Sequence, residues 1–365
     1  MKTIKDVALK AGVSPALVSR VLNNKPGVST LAREKIQTAI NELNYYPNQN
    51  ARALNKGNLS AIGVILPNII TPYFSSIVSG IENVTSNNEV QIVLNSSSFD
   101  QDKELAALNT LIQQRYQSVI LFSTSISDQR IVEYTDKVPG LVIFDRKIKE
   151  IEQRCIWLDD QVAAQLMVDE LVKFQHQHIA ILDLPHSLLH SSRRFSYFKQ
   201  ILKARGIKLS AGLIEQTDGT IQGGQDAIYN LLASGQKFTA VICFNDAIAY
   251  GAINFLQKQG ISIPQEVSVI GFNDSTYSKM TVPNFHTIHT PIKKMAERAT
   301  QLAIDLAKKP DLSIDKNDNI FTPHLVKNHS MAIVRPDAEI KPEFYGAIKE
   351  YQPRHIDNDN DNDKV

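Results

Sequence analysis

The sequence predicts an all-α helix-turn-helix head joined to an α/β body of two lobes with doubly wound parallel sheets. The first 60 residues contain no strand-like run, and three short helices fit them. From residue 61 onwards, short apolar runs alternate with longer amphipathic stretches, which is typical of parallel sheets covered by helices. The length of 365 residues also exceeds that of a single core, which rarely grows beyond about 250–300 residues.

The composition is that of a globular protein, with 43% hydrophobic and 21% charged residues. No apolar run approaches the roughly 20 residues that span a bilayer, so we expect no membrane helix. Charges interrupt every apolar stretch near the N-terminus, so we expect no signal peptide. Cys155 and Cys243 each lie in an apolar run, which favours two buried free thiols in a cytoplasmic protein over a disulfide.

The charge is distributed unevenly along the chain. Residues 1–60 hold nine Lys or Arg against three Asp or Glu, a net charge of +6, whereas the remaining 305 hold 30 against 35, a net charge of −5. A small basic segment on an acidic body is typical of a nucleic-acid-binding domain attached to a domain with another task.

Two short helices are predicted at the start of the head. The first covers Ile4 to Ala11 and ends at Gly12. The second begins after Ser14, a candidate N-cap, with Pro15 at its first position, and runs to about Asn23.

A third helix is predicted after the candidate N-cap Ser29 and runs to about Leu43. Its apolar residues recur at spacings of three and four, which gives one buried face: Ala32, Ile36, Ala39, Ile40 and Leu43.

The body alternates predicted strands and helices. The strands are Ala61–Leu66, Val90–Asn95, Ser118–Ser123, Gly140–Phe144, Cys155–Leu158, His178–Asp183, Ala240–Phe244 and Val267–Phe272. The helices are 73–87, 101–115, 160–174, 193–205, 222–234 and 246–259. Beyond Arg335, residues 336–365 form an acidic tail that we expect to be disordered; residues 357–364 (DNDNDNDK) lack the Gly and the final Glu of a calcium loop.

The head is a candidate DNA-binding unit, because a helix-turn-helix places its second helix in the major groove. That helix is predicted to present Ala16, Leu17, Arg20 and Val21. Arg20 can bridge the O6 and N7 acceptors of guanine, whereas Thr3, Ser14 and Ser19 suit phosphate contacts. A three-helix bundle without a ligand remains an alternative at this point.

The segments TIKDVA, AGVSPALVSRVLN, REKI and NYYPNQNARAL occur in this order over some fifty residues. In order and spacing they resemble the N-terminal signature of the lactose-repressor (LacI) family. Leu17 departs from that family, whose members usually carry Thr there. The resemblance implies that residues 1–46 are a DNA-binding domain and that 47–60 are a hinge helix or linker.

The hinge of this family forms when the dimer sits on its operator. Leu54 matches the residue that inserts into the minor groove, where apolar wedges kink DNA. The alternative is a structural role, in which Leu54 only packs the linker against the body. The DNA-contact set implied by motif and resemblance together is Thr3, Ser14, Pro15, Ala16, Leu17, Ser19, Arg20, Asn23, Asn50, Ala51 and Leu54.

Residues 61–335 resemble the family's sugar-sensing and dimerisation domain, whose two lobes are like those of periplasmic sugar-binding proteins and close around a ligand. The effector-binding residues that the resemblance implies are Tyr73, Phe74, Asp145, Asp160, Arg194, Asn245 and Asp274. Taken singly, each polar member could be a strand-end residue or a helix cap. Together they follow the carboxyl ends of strands, where open α/β sheets bind ligands.

Several positions in this set carry alternatives. Arg193 competes with Arg194 for the same role. Asp246 is expected to cap the following helix, which leaves Asn245 for the ligand. Gly219 lies near the place where members often carry an aromatic residue that closes the pocket, so the size and identity of the ligand stay open.

The segments RCIWLDD, KFTAVICFND and FTPHLVKNHS are similar to the galactose and β-galactoside repressors of the family. The resemblance implies a homodimer, or a tetramer, that represses sugar-utilisation genes from a near-palindromic operator in the cytoplasm, in association with the nucleoid, and is released by a galactoside-like sugar. The alternative is the opposite effect of the ligand on DNA affinity, in which it acts as a co-repressor and tightens DNA binding.

Two other functional classes are considered. One is a sugar-binding transport component, which would need a secretion signal and no head. The other is an enzyme with a regulatory head. We expect no enzyme, cofactor or metal, because the sequence has no phosphate loop, metal-spaced Cys/His cluster or nucleophile elbow. The pairs His176/His178 and His186/His190 are interpreted as structural.

Overall fold

The computed structural model describes residues 3–22, 25–43, 45, 61–88, 90–185, 188–334, 340, 351 and 353. The chain forms two compact units, with the division between Ser60 and Ala61. No helix among the described residues is long and apolar enough to cross a membrane.

The described part of the first unit, residues 3–45 with gaps, contains three helices, α1 (Ile4–Ala11), α2 (Pro15–Leu22) and α3 (Thr30–Glu42). Gly12 ends α1 with φ of 67°, a left-handed conformation that glycine adopts at little cost. The predicted caps are confirmed: the hydroxyl of Ser14 accepts from the amide of Leu17 at 3.3 Å, and that of Ser29 accepts from the amide of Ala32 at 3.3 Å.

The three helices share one apolar core, formed by Val7, Ala8, Val18, Val21, Ile36 and Ala39. The prediction that Val21 faces DNA is therefore wrong. Its side chain is buried and packs with Val18 inside the head.

The second unit contains two six-stranded sheets. The first has the order β11–β5–β4–β3–β1–β2, and its strands are β1 (Ala61–Leu66), β2 (Gln91–Ser96), β3 (Ser118–Leu121), β4 (Gly140–Phe144), β5 (Cys155–Leu158) and β11 (Ile320–Phe321). The second has the order β12–β10–β9–β8–β6–β7, and its strands are β6 (Ile179–Asp183), β7 (Ile214–Gln216), β8 (Ala240–Cys243), β9 (Ser268–Asn273), β10 (His286–His289) and β12 (His324–Val326).

All pairs are parallel except β10 with β12. The predicted strands agree with the observed ones to within two residues at each end. The short strands β7, β10, β11 and β12 were not predicted, because they lack a long apolar run.

In the part of the body that the structure describes, eight helices cover these sheets: α4 (Pro72–Asn87), α5 (Gln101–Gln113), α6 (Asp128–Thr135), α7 (Asp160–Lys173), α8 (Leu189–Ala204), α9 (Ile221–Ala233), α10 (Asp246–Lys258) and α11 (Ile292–Lys308). The helices α6 and α11 were not predicted. Helix α11 follows β10 of the second sheet but packs on α4, β3 and β4 of the first lobe.

The chain therefore crosses between the lobes three times. It leaves the first sheet after β5, returns to the first lobe after β10 with α11 and β11, and goes back to the second sheet with β12.

Three described residues lie in the segment predicted as a disordered tail, Ile340, Tyr351 and Pro353, and the first two pack against the body. Ile340 is 1% exposed within the core of the second lobe. The Tyr351 ring lies 5.1 Å from that of Tyr229 and 4.9 Å from that of Phe255, and its hydroxyl donates to Asp226. At these two points the prediction for residues 336–365 is wrong, because their apolar side chains find a partner surface on α9 and α10.

Candidate functional site

The exposed surface of α2 is the first candidate site. Ser14, Pro15, Ala16 and Arg20 are exposed on the face opposite the head core, whereas Leu17 is half-buried against that core. The free N-terminal end of a helix and an exposed guanidinium are both groups that bind phosphates or base edges.

The other predicted DNA-contact residues differ in their situation. Thr3 is the N-cap of α1 and exchanges hydrogen bonds with Asp6, so its hydroxyl is already used in a capping box. Ser19 is half-buried on α2. Four predicted contacts lie outside the described residues: Asn23, Asn50, Ala51 and Leu54.

The second candidate site is a cleft between the two lobes of the body. It has a volume of about 110 Å³. The residues that line it are Asn68, Thr71, Pro72, Tyr73, Phe74, Phe99, Phe122, Asp145, Leu184, Arg194, Asp218, Gly219, Thr220, Phe244, Asn245, Asp246, Ala247, Asn273, Ser275 and Tyr277.

Aromatic side chains form the wall of the cleft in the first lobe. Phe74 packs edge to face against Tyr73 and Phe122, each at 5.3 Å between ring centroids, and Phe99 lies 6.3 Å from Phe74. A rigid aromatic wall offers an apolar surface of the kind on which the ring face of a sugar packs. The predictions for Tyr73 and Phe74 placed both in the ligand cleft, and both line it.

Asp145 follows β4 and faces the cleft in a left-handed conformation, with φ of 59°. Its Oδ2 accepts a hydrogen bond from the hydroxyl of Tyr73 at 2.9 Å. Burial, together with the nearby carboxylate of Asp160, raises the pKa of Asp145 to about 6. Burial and Asp145 also raise the pKa of Tyr73 well above its usual value, so Tyr73 stays a donor.

Arg194 is the cationic side chain in the described lining of the cleft. Its Nε donates to Asp160 Oδ1 at 3.0 Å and its Nη1 donates to the carbonyl of Phe244 at 3.3 Å. The guanidinium carbon lies 3.7 Å from the ring centroid of Phe272 and 4.4 Å from that of Phe244. These contacts fix the guanidinium, so its remaining N–H groups form a rigid donor set.

Asp160 binds the guanidinium of Arg194 and is itself bound by Arg193, and both Asp160 and Arg193 lie outside the cleft lining. Asp160 is buried at the first position of α7, but the described lining of the cleft does not include it. Asp160 was expected to contact the ligand directly. Both of its carboxylate oxygens are instead paired with arginines. Arg193 donates to Asp160 Oδ2 at 3.3 Å and also lies outside the lining, which favours Arg194 of the two.

Asn245 and Asp246 differ from the expected arrangement in one respect, the identity of the helix cap. Asn245 is the N-cap of α10: its Oδ1 accepts from the amide of Ile248 at 2.8 Å. Its Nδ2 donates to the carbonyl of Gly219 at 3.1 Å. Asp246, expected as the cap, is instead buried and accepts from the hydroxyl of Thr287 at 2.7 Å. Both residues line the cleft.

The turn after β9 differs from the prediction. The carboxylate of Asp274 binds His289 Nδ1 at 2.9 Å and lies 3.6 Å from Lys279 Nζ. The lining of the cleft includes Asn273 and Ser275 but not Asp274. Asn273 has a positive φ of 110°. In this turn the residues that line the cleft are Asn273 and Ser275, the two neighbours of Asp274.

Gly219 lies beside Leu184 and Asn245 with φ of 81°. A Cβ on this residue would lie 2.9 Å from Leu184 Cδ2, and side chains strain the backbone at this φ. A larger residue at this position would therefore require both a strained backbone and a shift of Leu184.

Sequence reasoning missed several residues of the lining. Three of them follow the carboxyl end of a strand directly: Phe122 after β3, Leu184 after β6 and Phe244 after β8. The strand-end rule could have identified these residues. Phe99, Tyr277 and Asp218 lie in loops whose conformation the sequence does not reveal.

Among the described residues, no group of three His, Cys, Asp or Glu side chains is placed to hold a metal ion. Cys155 and Cys243 are both free and buried, and burial raises the pKa of Cys155 to about 12.

Two family models match the chain. One, described as bacterial regulatory proteins of the lacI family, matches residues 3–48. The other, described as periplasmic binding proteins and sugar binding domain of the LacI family, matches residues 59–300.

The chain is also similar to named regulators. The HTH-type transcriptional regulator GalR of Escherichia coli is 35% identical over 332 residues, which cover 91% of this chain and 96% of the relative. GalS of Salmonella typhimurium is 35% identical over 332 residues, covering 91% and 97%.

Among solved structures, the lac repressor dimer bound to operator and the anti-inducer ONPF matches with a TM-score of 0.76 and 26% identity, covering 91% of this chain and 99% of that one. The match spans both compact units of the chain.

Proposed function

Because the chain belongs to the LacI family of bacterial regulatory proteins, we propose that it is a sequence-specific DNA-binding transcriptional repressor of sugar-utilisation genes, released from its operator by a small sugar. One combination of observations carries this proposal. A basic head exposes Arg20 on α2, and the same chain holds a cleft lined by aromatic rings, amides and a fixed arginine. Its relatives are regulators of transcription, and the chain is not an enzyme.

The head supplies the contacts with DNA. We assign direct contact with base edges to Arg20 and Ala16, and contact with phosphates to the N-terminal end of α2 around Ser14. Exposure of these side chains supports the assignment, because a helix in the major groove needs a face free of packing. The hinge contacts proposed for Asn50, Ala51 and Leu54 rest on the resemblance of that segment alone.

The body supplies the sugar site. Hydroxyl groups of a sugar both donate and accept, so they suit the carboxylate of Asp145, the guanidinium of Arg194 and the amides of Asn245 and Asn273. We assign the apolar face of the sugar to the wall formed by Tyr73 and Phe74. The resemblance of the segments RCIWLDD, KFTAVICFND and FTPHLVKNHS to the galactose and β-galactoside repressors supports a galactose-like effector.

Release requires that the sugar binds the released state better than the DNA-bound state, since a ligand shifts an equilibrium only by differential affinity. The cleft lies between two lobes joined by three crossovers, so closure around a sugar would reorient the first lobe. We place the active form as a homodimer on a near-palindromic operator, one head on each half-site, in the cytoplasm.

The proposal is tested by fluorescence anisotropy of a labelled DNA fragment from the region upstream of the protein's own gene. The complex is titrated with D-galactose, methyl β-D-galactopyranoside, D-glucose and D-ribose. Release by one sugar supports an inducible repressor, whereas tighter binding reverses the sign of the switch. Specific DNA binding that no sugar alters would contradict the assignment of the cleft.

A further inference from the structure

The hydroxyl of Ser275 is buried at the cleft, close to the carboxylate of Asp246 but without a well-aligned hydrogen bond. Four side-chain atoms among the described residues are buried without such a bond, Asn95 Nδ2, His176 Nε2, Ser275 Oγ and Thr290 Oγ1. Of these four residues, Ser275 is the one that lines the cleft. Buried polar groups are nearly always hydrogen-bonded, so an unpaired hydroxyl in a ligand cleft calls for a partner from outside the protein.

The backbone holds Ser275 in a fixed position. Its amide donates to Asp246 Oδ2 at 2.6 Å, and its carbonyl accepts from the hydroxyl of Ser278 at 2.8 Å. Asp246 is in turn anchored by Thr287. Because both sides of the residue are tied to the second lobe, the position of its Cβ does not depend on the hydroxyl.

The hydroxyl has a local role available and does not take it. Ser275 is the N-cap of a single 3₁₀ turn, Thr276–Lys279, yet its side chain makes no capping hydrogen bond. Serine at this position ordinarily turns its oxygen to the free amides of the turn. Here the oxygen is buried at the cleft instead.

The turn before it is bent in an unusual way. Asn273 and Asp274 both have positive φ, 110° and 50°. Backbone strain of this kind persists where the surrounding structure enforces it, and it clusters at binding sites. In this turn it points Asp274 to His289 and leaves Asn273 and Ser275 as the polar groups facing the cleft.

We propose that Ser275 Oγ forms a hydrogen bond with one hydroxyl of the bound sugar and thereby contributes to the choice of sugar. The inference rests on the proposed function of the cleft. A hydroxyl can donate and accept at once, which matches a sugar hydroxyl in either orientation. A sugar that lacks this hydroxyl leaves Ser275 unpaired and is discriminated against.

The first test compares the full-length wild type with Ser275→Ala by isothermal titration calorimetry. The probe is the member of the four-sugar panel named above that binds the wild type most tightly. Loss of the hydrogen bond is expected to weaken binding about tenfold, with unchanged affinity for operator DNA in the absence of sugar. Thr276→Ala is the matched control, since Thr276 is the next residue, is exposed and lies outside the cleft lining.

A thermodynamic cycle then tests for direct contact. Each monodeoxy derivative of the same sugar is titrated against the wild type and Ser275→Ala. One derivative is expected to lose affinity for the wild type but to bind both proteins equally, which identifies the hydroxyl contacted. If removal of each sugar hydroxyl lowers the affinity for the wild type and for Ser275→Ala by the same factor, direct contact is overturned.

Stability separates a binding role from a structural one. Removing a hydroxyl that has no well-aligned hydrogen bond should not lower the melting temperature of the sugar-free protein, so a fall in Ser275→Ala would overturn the proposal. Unchanged sugar affinity in that variant would overturn it while leaving the proposed function intact. Failure of every panel sugar to bind the wild type would contradict both.

Discussion

Arg194 and Asp160 form a buried ion pair, with Nε to Oδ1 at 3.0 Å, and the guanidinium is enclosed between the rings of Phe244 and Phe272. The two residues lie on successive helices, Asp160 at the start of α7 and Arg194 within α8. The pair therefore sets the direction in which the arginine presents its remaining donors.

We expect Arg194→Lys to weaken sugar binding by about 1–3 kcal/mol, because lysine keeps the charge but loses the planar fork and the stacking. Arg193→Lys is the matched control, since Arg193 binds the same carboxylate from outside the cleft lining. Both affinities are measured by calorimetry. Equal losses in the two variants would remove Arg194 from direct contact with the sugar.

Arg20→Ala is expected to weaken operator binding by about 1–3 kcal/mol and to leave non-specific binding nearly unchanged, because a bidentate contact with guanine is read only on the correct sequence. Lys25→Ala serves as the control, since Lys25 is also exposed in the head but lies beyond α2. Anisotropy with operator and scrambled DNA at two salt concentrations gives both values. Equal weakening on both DNAs would make Arg20 a phosphate contact.

Leu54→Ala is expected to reduce DNA bending and operator affinity while leaving sugar affinity unchanged. An inserted apolar side chain partly unstacks a base step and kinks the duplex, and the bent DNA contacts more of the protein surface. Residue 54 lies outside the described structure, so this expectation comes from the sequence. Bending is measured by energy transfer between dyes at the two ends of an operator fragment. An unchanged bend would exclude the wedge.

Asp246 predicts a pH dependence of stability. Burial raises its pKa in the folded protein to about 7, well above the usual value of 3.8. Between about pH 4 and 7 the unfolded state therefore ionises before the folded state, and the folded state loses relative stability as the pH rises, by about 1.4 kcal/mol per unit of pKa difference at the limit.

Asp246→Asn removes this ionisation. Urea unfolding at a series of pH values should show the variant gaining stability relative to the wild type as the pH rises from 4 to 7, with a constant difference above that. A difference that does not change with pH would show that Asp246 titrates in the folded state as it does in the unfolded state.

Tyr351 tests the packing of the C-terminal segment. Tyr351→Ala is expected to destabilise the body by about 1–3 kcal/mol through loss of the contacts with Tyr229 and Phe255. Tyr351→Phe, which loses the hydrogen bond to Asp226 but keeps the ring, should cost about 1 kcal/mol. Deletion of residues 357–365 is the control and should have no effect on unfolding. Equal stability of all three variants would mean that Tyr351 does not hold the segment.

Periodicity was a good guide to the central elements of the fold. The strands β1, β4 and β5 were predicted with their observed bounds, because buried parallel strands are continuous apolar runs. Helix α11 was missed although it is long, since no predicted strand followed it to suggest a crossover. The edge strands β11 and β12 have two and three residues, and pairing across the sheet, not composition, makes them strands.

The candidate site was predicted in outline and differs in detail. Tyr73, Phe74, Asp145, Arg194 and Asn245 all line one cleft, and of these Asp145 and Asn245 lie at the carboxyl ends of β4 and β8, as the strand-end rule predicts. Asp274 and Asp160 do not, because the carboxylate of Asp274 is bound to His289 and that of Asp160 to Arg194. Local backbone angles, such as the positive φ of Asn273, decide which of two adjacent residues faces a ligand, and a single sequence does not encode these angles in a visible pattern.

The three crossovers between the lobes have a consequence for synthesis of the chain. The first sheet lacks its outer strand β11 and its covering helix α11 until residue 321 has been made, although β1 to β5 are complete at residue 158. Neither lobe is a continuous stretch of sequence, so a nascent chain exposes part of an apolar surface while more than 160 further residues emerge. Ribosome stalling within this interval would therefore leave an aggregation-prone intermediate, whereas the head, complete by Leu43, is free to fold first.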